Sequence, residues 1–180
     1  MKFCSNCGNP VVVAIPPGDH LPRFVCESCG TIHYQNPRLV VGCVAEWEGR
    51  ILFCRRAIEP RKGYWTLPAG FMENGETTEQ AALRETAEEA LAVAEGLAPF
   101  ALVNVPHVNQ VHLMFRGRLK DGKHAPGAES LETALLYEQD IPWKDIAFPS
   151  VRYALERFLE DRRRGVFGFH MDTWEKPVRN

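Results

Sequence analysis

Three glutamates stand at a spacing that makes their charges meet. Glu85, Glu88 and Glu89 lie at i, i+3 and i+4 in a stretch rich in Ala, Glu, Leu and Arg, so on a helix their carboxylates share one face. Like charges so placed repel, by roughly 0.3 kcal/mol for each close pair, and the helix gains nothing from them. A hard divalent cation relieves the repulsion and prefers oxygen ligands, and magnesium also binds phosphates, so the pattern points to phosphate chemistry. Taken alone, the cluster reads more readily as a solvated acidic face offset by Arg84. The residues before it reverse that balance.

A second set of residues points to a different metal. Cys4-x2-Cys7 and Cys26-x2-Cys29 are two knuckles with 18 residues between them. Zinc takes four soft ligands in a tetrahedron, and each Cys-x2-Cys turn offers two thiolates to one ion. Gly8 and Gly30 follow the knuckles and permit the tight turn. A closed four-thiolate site has no open position for water, which makes it structural rather than catalytic. Cys43 and Cys54 lie in an apolar stretch and read as small buried hydrophobes.

The stretch from Gly70 to Leu91 resembles the Nudix box: Gly, five residues, Glu, seven residues, Arg-Glu, a hydrophobic residue, any residue, Glu-Glu. Gly70, Glu76, Arg84, Glu85, Glu88 and Glu89 match at that spacing. The upstream run Trp65-Thr66-Leu67-Pro68-Ala69-Gly70-Phe71 is similar to the usual approach, with Ala69 at a place often held by Gly. Thr86, Leu91 and Ala92 depart from the pattern, standing where the box prefers a larger hydrophobe, a Gly and a hydrophobe. The missing Gly bears on how the helix ends.

The resemblance implies a metal-dependent pyrophosphohydrolase with roles for particular residues. Glu85, Glu88 and Glu89 would hold Mg²⁺ or Mn²⁺, with the Gly70 carbonyl as a further ligand. Glu76 would support the loop or a second metal through water, and Arg84 would orient the glutamates. The metals would neutralise a diphosphate and acidify an attacking water. Some family members take the proton with a box glutamate and others with one from a later loop. Here that loop offers Glu129 and Glu132, which read equally well as surface charge.

Zinc ribbons joined to Nudix domains occur in NADH pyrophosphatases and in a group resembling ADP-ribose and FAD pyrophosphatases. The former carry a Ser-Gln-Pro-Trp-Pro-Phe-Pro-type signature, which this chain lacks. Its corresponding stretch runs from Val105 through Pro106, His107, Gln110 and Val111 to His112. The resemblance therefore leans to ADP-ribose or FAD, with NADH as the alternative. His107, Gln110 and His112 are substrate contacts or merely polar residues at a strand end. Tyr64, Trp65 and Phe71 are candidates to stack on a ring, although most aromatics are core. A catalytically silent nucleotide sensor, or a nucleic-acid-binding protein built on the ribbon, is the alternative from another class.

The elements needed to position these residues can be read from pattern. Leu39–Trp47 and Ile51–Cys54 read as a hairpin turning at Glu48-Gly49. Residues 57–76, with three glycines and two prolines, read as a structured loop. Thr77 with Gln80 predicts a capping box for a helix running to about Leu91. Strands are expected near Phe100–Val105, Val111–Leu119 and Leu131–Tyr137. A last helix is expected after a Ser150 cap, with Val151, Ala154, Leu155, Phe158 and Leu159 as its apolar stripe and Gly165 as its end. The tail from Val166 is expected to pack on a partner or on the ribbon. The fold class is α+β, a Nudix α/β/α sandwich with a mixed sheet over residues 37–180, preceded by a small zinc ribbon over residues 1–36.

The whole chain sets outer limits. It has 180 residues, 45% hydrophobic and 24% charged, which is a globular balance, and a formal net charge of -2. Such a charge gives no broad grip on nucleic acid, which is not an expected partner. A nucleotide-derived small molecule is the expected partner, and a homodimer is expected by resemblance only. No apolar run approaches the roughly 18 residues of a membrane helix. The opening Met1-Lys2-Phe3-Cys4 leaves no room for a signal peptide, so a cytoplasmic protein is expected.

Overall fold

The computed structural model describes residues 1–175. The chain divides into two compact units, Met1–Pro37 and the residues from Arg38 onward.

The first unit is a three-stranded antiparallel sheet of β1 (Val12–Ala14), β2 (Arg23–Val25) and β3 (Ile32–His33). Each knuckle closes with a backbone bond, Gly8 N–H to the Cys4 carbonyl at 2.9 Å and Gly30 N–H to the Cys26 carbonyl at 2.8 Å. Both glycines have positive φ, 75° and 72°, which a side chain would strain. Asp19 fixes the turn between β1 and β2, accepting from the backbone of His20 and Leu21 and from Arg23 Nε at 2.9 Å. The strands are short and β1 is wholly exposed. So small an apolar core leaves much of the unit's stability to another source.

The second unit is a layered sandwich. β4 (Arg38–Trp47) turns at Glu48 and Gly49, whose φ angles are 47° and 78°, into β5 (Arg50–Arg56). Two positive-φ residues suit the twist of a tight hairpin. The Gly- and Pro-rich loop follows, with two short extended pieces, β6 (Trp65–Thr66) and β7 (Ala69–Phe71), and leads to α1 (Thr78–Ala90). Then come β8 (Ala94–Val105), β9 (Gln110–Leu119), β10 (Ser130–Leu136), α2 (Pro149–Arg164) and β11 (His170–Thr173). The sheet order is β10-β5-β4-β9-β8-β11, with β6 paired to β5 and β7 to β4. β4 runs parallel to β9 and β11 parallel to β8, and the remaining pairs are antiparallel, so the sheet is mixed.

Strand periodicity divides the core between the two faces. Cys43, Ala45, Leu52 and Cys54 pack with Ala81, Ala82 and Ala90 of α1. Val44, Ile51 and Phe53 point the other way, to Val151, Ala154, Leu155 and Phe158 of α2. Burial pushes the Cys43 and Cys54 thiols up to about 12, which suits inert core residues.

Thr77 caps α1 with the full capping box: Gln80 N–H donates to its hydroxyl and Thr77 N–H donates to the Gln80 side chain. At the other end Leu91, standing where the box has Gly, itself takes the left-handed conformation, with φ 46° and ψ 35°. The loop after β9 supplies the rest of the cap. Gly127 N–H reaches the Glu89 carbonyl at 3.0 Å and Ala125 N–H the Ala90 carbonyl at 2.9 Å.

Two expectations are corrected. Ser150 does not cap α2. The helix starts two residues earlier than expected, at Pro149, whose missing N–H suits the first turn, and Ser150's hydroxyl bonds His112 instead. The tail is not free to pack elsewhere over its first part. Residues His170–Thr173 add β11 to the edge of the sheet, held to α2 by His170 Nε2 and Gly168 N–H on Asp161 at 2.7 and 2.9 Å. Residues 176–180 lie outside the described part.

Candidate active site and zinc centre

In the first unit the four cysteine sulfurs lie within 4.8 Å of one another. Cys4 and Cys29 Sγ are 3.7 Å apart and Cys7 and Cys26 Sγ 3.5 Å. A tetrahedron of thiolates about 2.3 Å from zinc has edges of about 3.8 Å, so the donor set and spacing fit that ion. The Thr31 hydroxyl, 3.1 Å from the Cys29 sulfur, and the Thr31 backbone bring that thiol down to about 5. His33 Nε2 lies 3.3 Å from Cys4 Sγ, so its ring can donate to that sulfur.

In the second unit Arg84 organises the glutamates. Its Nε and Nη2 reach both Glu76 oxygens at 3.0 and 2.8 Å, and Nη1 reaches Glu85 at 2.8 Å and Glu88 at 3.0 Å. Nη2 also donates to the Phe71 carbonyl at 3.1 Å, which ties the helix to the loop before it. Glu76 sits behind this arrangement and does not line the cavity. It accepts from Arg84 and from Glu73 N–H at 2.7 Å, and these bonds hold its carboxyl down at about 2.

Glu85 and Glu89 are buried and Glu88 is exposed. Burial pushes Glu85 up, against the pull of Arg84. It lifts Glu89 to about 7, although Ala69 N–H donates to it at 3.0 Å. A carboxylate whose burial outweighs both the Ala69 N–H and the nearby Arg56 charge is chemically suited to a further cation. The donors are all oxygen, as a hard divalent ion requires. Gly70 has a steric reason to be Gly, since an added Cβ would overlap the Glu85 carboxylate.

These residues open on one cavity of about 850 Å³, which is large enough for a nucleotide-sized ligand. Gly70, Arg84, Glu85, Glu88, Glu89, Glu129, His107 and Gln110 all line it. Glu129 is carried in by the loop whose Gly127 packs on the end of α1, and its carbonyl is bound by Ala57 N–H at 2.8 Å.

Other candidates lie elsewhere. Glu132 lies on β10 opposite Arg55 of β5, after a register shift that follows Ser130, and meets Arg55 at 3.4 Å on the surface instead of lining the cavity. Trp65 packs against the α2 side of the core rather than lining the cavity. Tyr64 lies outside the cavity too, with the Arg61 guanidinium over its ring. Phe71 does line it, beneath Arg38. His112 lines the cavity with both nitrogens engaged, one with Ser150 at 2.7 Å and the other with Gln110 Oε1 at 2.9 Å. Burial brings it down to about 4, so it is neutral at ordinary pH.

Sequence reasoning overlooked Arg56. It is buried at the end of β5, donates from Nε to the Pro60 carbonyl at 2.8 Å and lies over the Phe148 ring. It faces the cavity, and among the described residues no carboxylate comes within ion-pair distance of it. The signal was its parity: in the strand Arg55 points out and Arg56 points in.

Residues 36–150 match the family model described as NUDIX domain, and residues 2–35 match the zinc-ribbon model described as Nudix N-terminal. The chain belongs to the Nudix family and carries its N-terminal zinc-ribbon module. A crystal structure of a NUDIX hydrolase from Nitrosomonas europaea is 52% identical, covers 98% of this chain and 100% of its own, and superposes with a TM-score of 0.94. The NAD-capped RNA hydrolase NudC of Chromobacterium violaceum is 30% identical over 88% of this chain and 60% of its own length. The ADP-ribose pyrophosphatase of Methanocaldococcus jannaschii is 32% identical over 53% of this chain and 62% of its own. The chain thus spans about 60% of the length of the curated relatives it matches. Among the described residues no helix is long and apolar enough to cross a membrane.

Proposed function

We propose that the chain hydrolyses the diphosphate bond of a nucleoside diphosphate linked to a second group, with ADP-ribose or FAD as the preferred substrates. The observation that carries this is the convergence of Glu85, Glu88, Glu89 and Gly70 on one nucleotide-sized cavity, together with Glu129 and the unpaired cation Arg56. Glu85, Glu88 and Glu89 would hold Mg²⁺ or Mn²⁺, with the Gly70 carbonyl as a further oxygen donor, and the four cysteines would hold a structural Zn²⁺. The bound divalent metal supplies charge neutralisation of the diphosphate and acidification of water.

The chain's own residues do the rest. Arg84 fixes the glutamates in their rotamers through charge-assisted bonds, and Glu76 fixes Arg84. Arg56 offers its free guanidinium nitrogens to a phosphate oxygen that gains charge as the bridge breaks. Glu129, which lines the cavity from a loop that packs on α1, is the group proposed to take the proton of the attacking water. Water adds to one phosphorus, and the other phosphate leaves with its group. Products are AMP and ribose 5-phosphate from ADP-ribose, or AMP and FMN from FAD.

A second reading, cleavage of an NAD-linked diphosphate, is favoured by the name of the Chromobacterium violaceum relative. The deciding experiment is a substrate panel of ADP-ribose, FAD and NADH in Mg²⁺ and in Mn²⁺. ADP-ribose or FAD is expected to show the highest kcat/KM. NADH ahead by tenfold moves the assignment to the second reading. Nucleotide bound but left uncut in either metal overturns hydrolysis in favour of a sensor.

A further inference from the structure

We infer that the C-terminal strand is part of the substrate site, and that Trp174 with His107 forms an aromatic wall holding the planar base of the substrate's nucleoside. The inference rests on the proposed binding of a nucleoside diphosphate in the cavity.

Trp174 lies just past β11 and lines the same cavity as Glu85, Glu88 and Glu89. It is half-buried rather than part of either core cluster. Its ring meets His107 with centroids 4.8 Å apart and planes inclined at 62°. Such an edge-to-face contact uses the edge of one ring and one face of the other, so further face remains for a flat ligand.

The position is built, not incidental. Trp174 N–H donates to the Asn104 carbonyl at 2.8 Å. The Asn104 side chain holds Thr173 Oγ1 at 3.2 Å, and β11 keeps register with β8 from His170 to Thr173. Asp161 anchors the start of the strand through His170. The backbone beneath the indole is therefore held, and His107 packs on the ring itself, before any ligand arrives, which lowers the entropy cost of stacking.

Its place across the sheet selects which part of the substrate it meets. From β7, which carries Gly70, the strands run β7-β4-β9-β8-β11. Four strand spacings separate the backbones by about 19 Å, and side chains from both ends face the cavity between them. That reach suits a base joined through ribose to a diphosphate at the glutamates, and it is too long for the diphosphate itself.

Base stacking is sequence-tolerant but specific for a flat π surface. The test separates base from phosphate by using AMP and inorganic pyrophosphate as probes, with binding read by calorimetry so that no turnover is needed. Trp174→Ala is expected to weaken AMP at least tenfold, about 1.4 kcal/mol, and to leave pyrophosphate within twofold. Trp174→Phe keeps AMP within about threefold, because a face remains. In turnover of ADP-ribose, Trp174→Ala raises KM by a similar factor with less than a threefold fall in kcat. Phe169→Ala, on the same tail but exposed and off the cavity, leaves both unchanged.

AMP affinity unchanged in Trp174→Ala, or lost equally for AMP and pyrophosphate, overturns the inference. Failure of the wild type to hydrolyse any substrate, with the AMP split intact, overturns the hydrolase reading and leaves the wall in place.

Discussion

Gly127→Ala tests whether the loop after β9 is a working part of the site. An added Cβ would overlap the carbonyl oxygen of Glu88 in α1, and the groups it meets are backbone, so no side chain can swing aside. The loop has to lift from the helix. Two bonds go with it, Gly127 N–H to Glu89 and Ala125 N–H to Ala90, and these close the end of a helix that lacks its usual Gly. Each is worth about 1 kcal/mol, and overpacking adds about 1–3 kcal/mol. The expected loss is about 4 kcal/mol, which for a chain of this size lowers Tm by about 8–16 °C. Glu129, two residues on, shifts with the loop, so kcat on the best substrate falls at least tenfold. Gly168→Ala is the matched control: its Cβ would meet nothing closer than His170 at 3.9 Å, and Tm stays within about 1 °C. Calorimetry and steady-state kinetics on the two variants suffice. A Gly127→Ala protein that melts with the wild type and turns over at its rate would refute the reasoning.

Glu88→Gln keeps shape but removes a charge from an exposed side chain; turnover should fall by orders of magnitude with Tm unchanged, whereas Glu79→Gln, which does not line the cavity, should alter neither. Full activity of Glu88→Gln at ordinary magnesium would remove Glu88 from the metal site. Elemental analysis should find about one zinc per chain, from one closed four-thiolate site. Cys26→Ser should lose that zinc and melt earlier, and unchanged melting without zinc would defeat the structural role. His112 gives a pH signature. The fold holds it at about 4 against an ordinary 6.5, so the unfolded chain binds more protons between those values. Stability is then full above pH 6.5 and falls as pH drops towards 4, by at most about 3 kcal/mol. His112→Gln should flatten that part of the curve, and identical slopes in both proteins would exclude His112 as the cause.

Much of the fold was legible because its signals are local. The β4–β5 turn, the capping box at Thr77 and the apolar stripe of α2 each depend on residues a few positions apart. The errors arise where a distant partner decides. Ser150 resembles a cap by type, yet His112, 38 residues away, engages its hydroxyl. β11 gives no strand signal, being short and mostly exposed, and forms because β8 offers an unpaired edge and Asp161 holds His170. Leu91 was a visible departure from the box, but its consequence depended on a loop beginning some thirty residues later that supplies the missing cap.

The candidate site divides along the same line. Glu85, Glu88 and Glu89 could be placed together because helical spacing alone puts them on one face. Their common opening with Glu129 could not, since that needs the loop folded onto α1. Glu129 and Glu132 were equal candidates by type, and pairing with β5 separates them, leaving Glu132 with Arg55 on the surface. The aromatic candidates divided: Phe71 lines the cavity and Tyr64 and Trp65 do not, because proximity in sequence is an uneven guide to a cavity built across a sheet. Trp65 stands five residues from Gly70 and faces the α2 side of the core. Trp174 stands more than a hundred residues away and lines the cavity, because four strand pairings bring it there. On the proposed reading, diphosphate chemistry is encoded in one short helix, while the pocket that would choose what the diphosphate carries is assembled from strand ends far apart in the chain. Substitutions in that wall are expected to change specificity without touching metal dependence, which is the behaviour the AMP and pyrophosphate probes are chosen to detect.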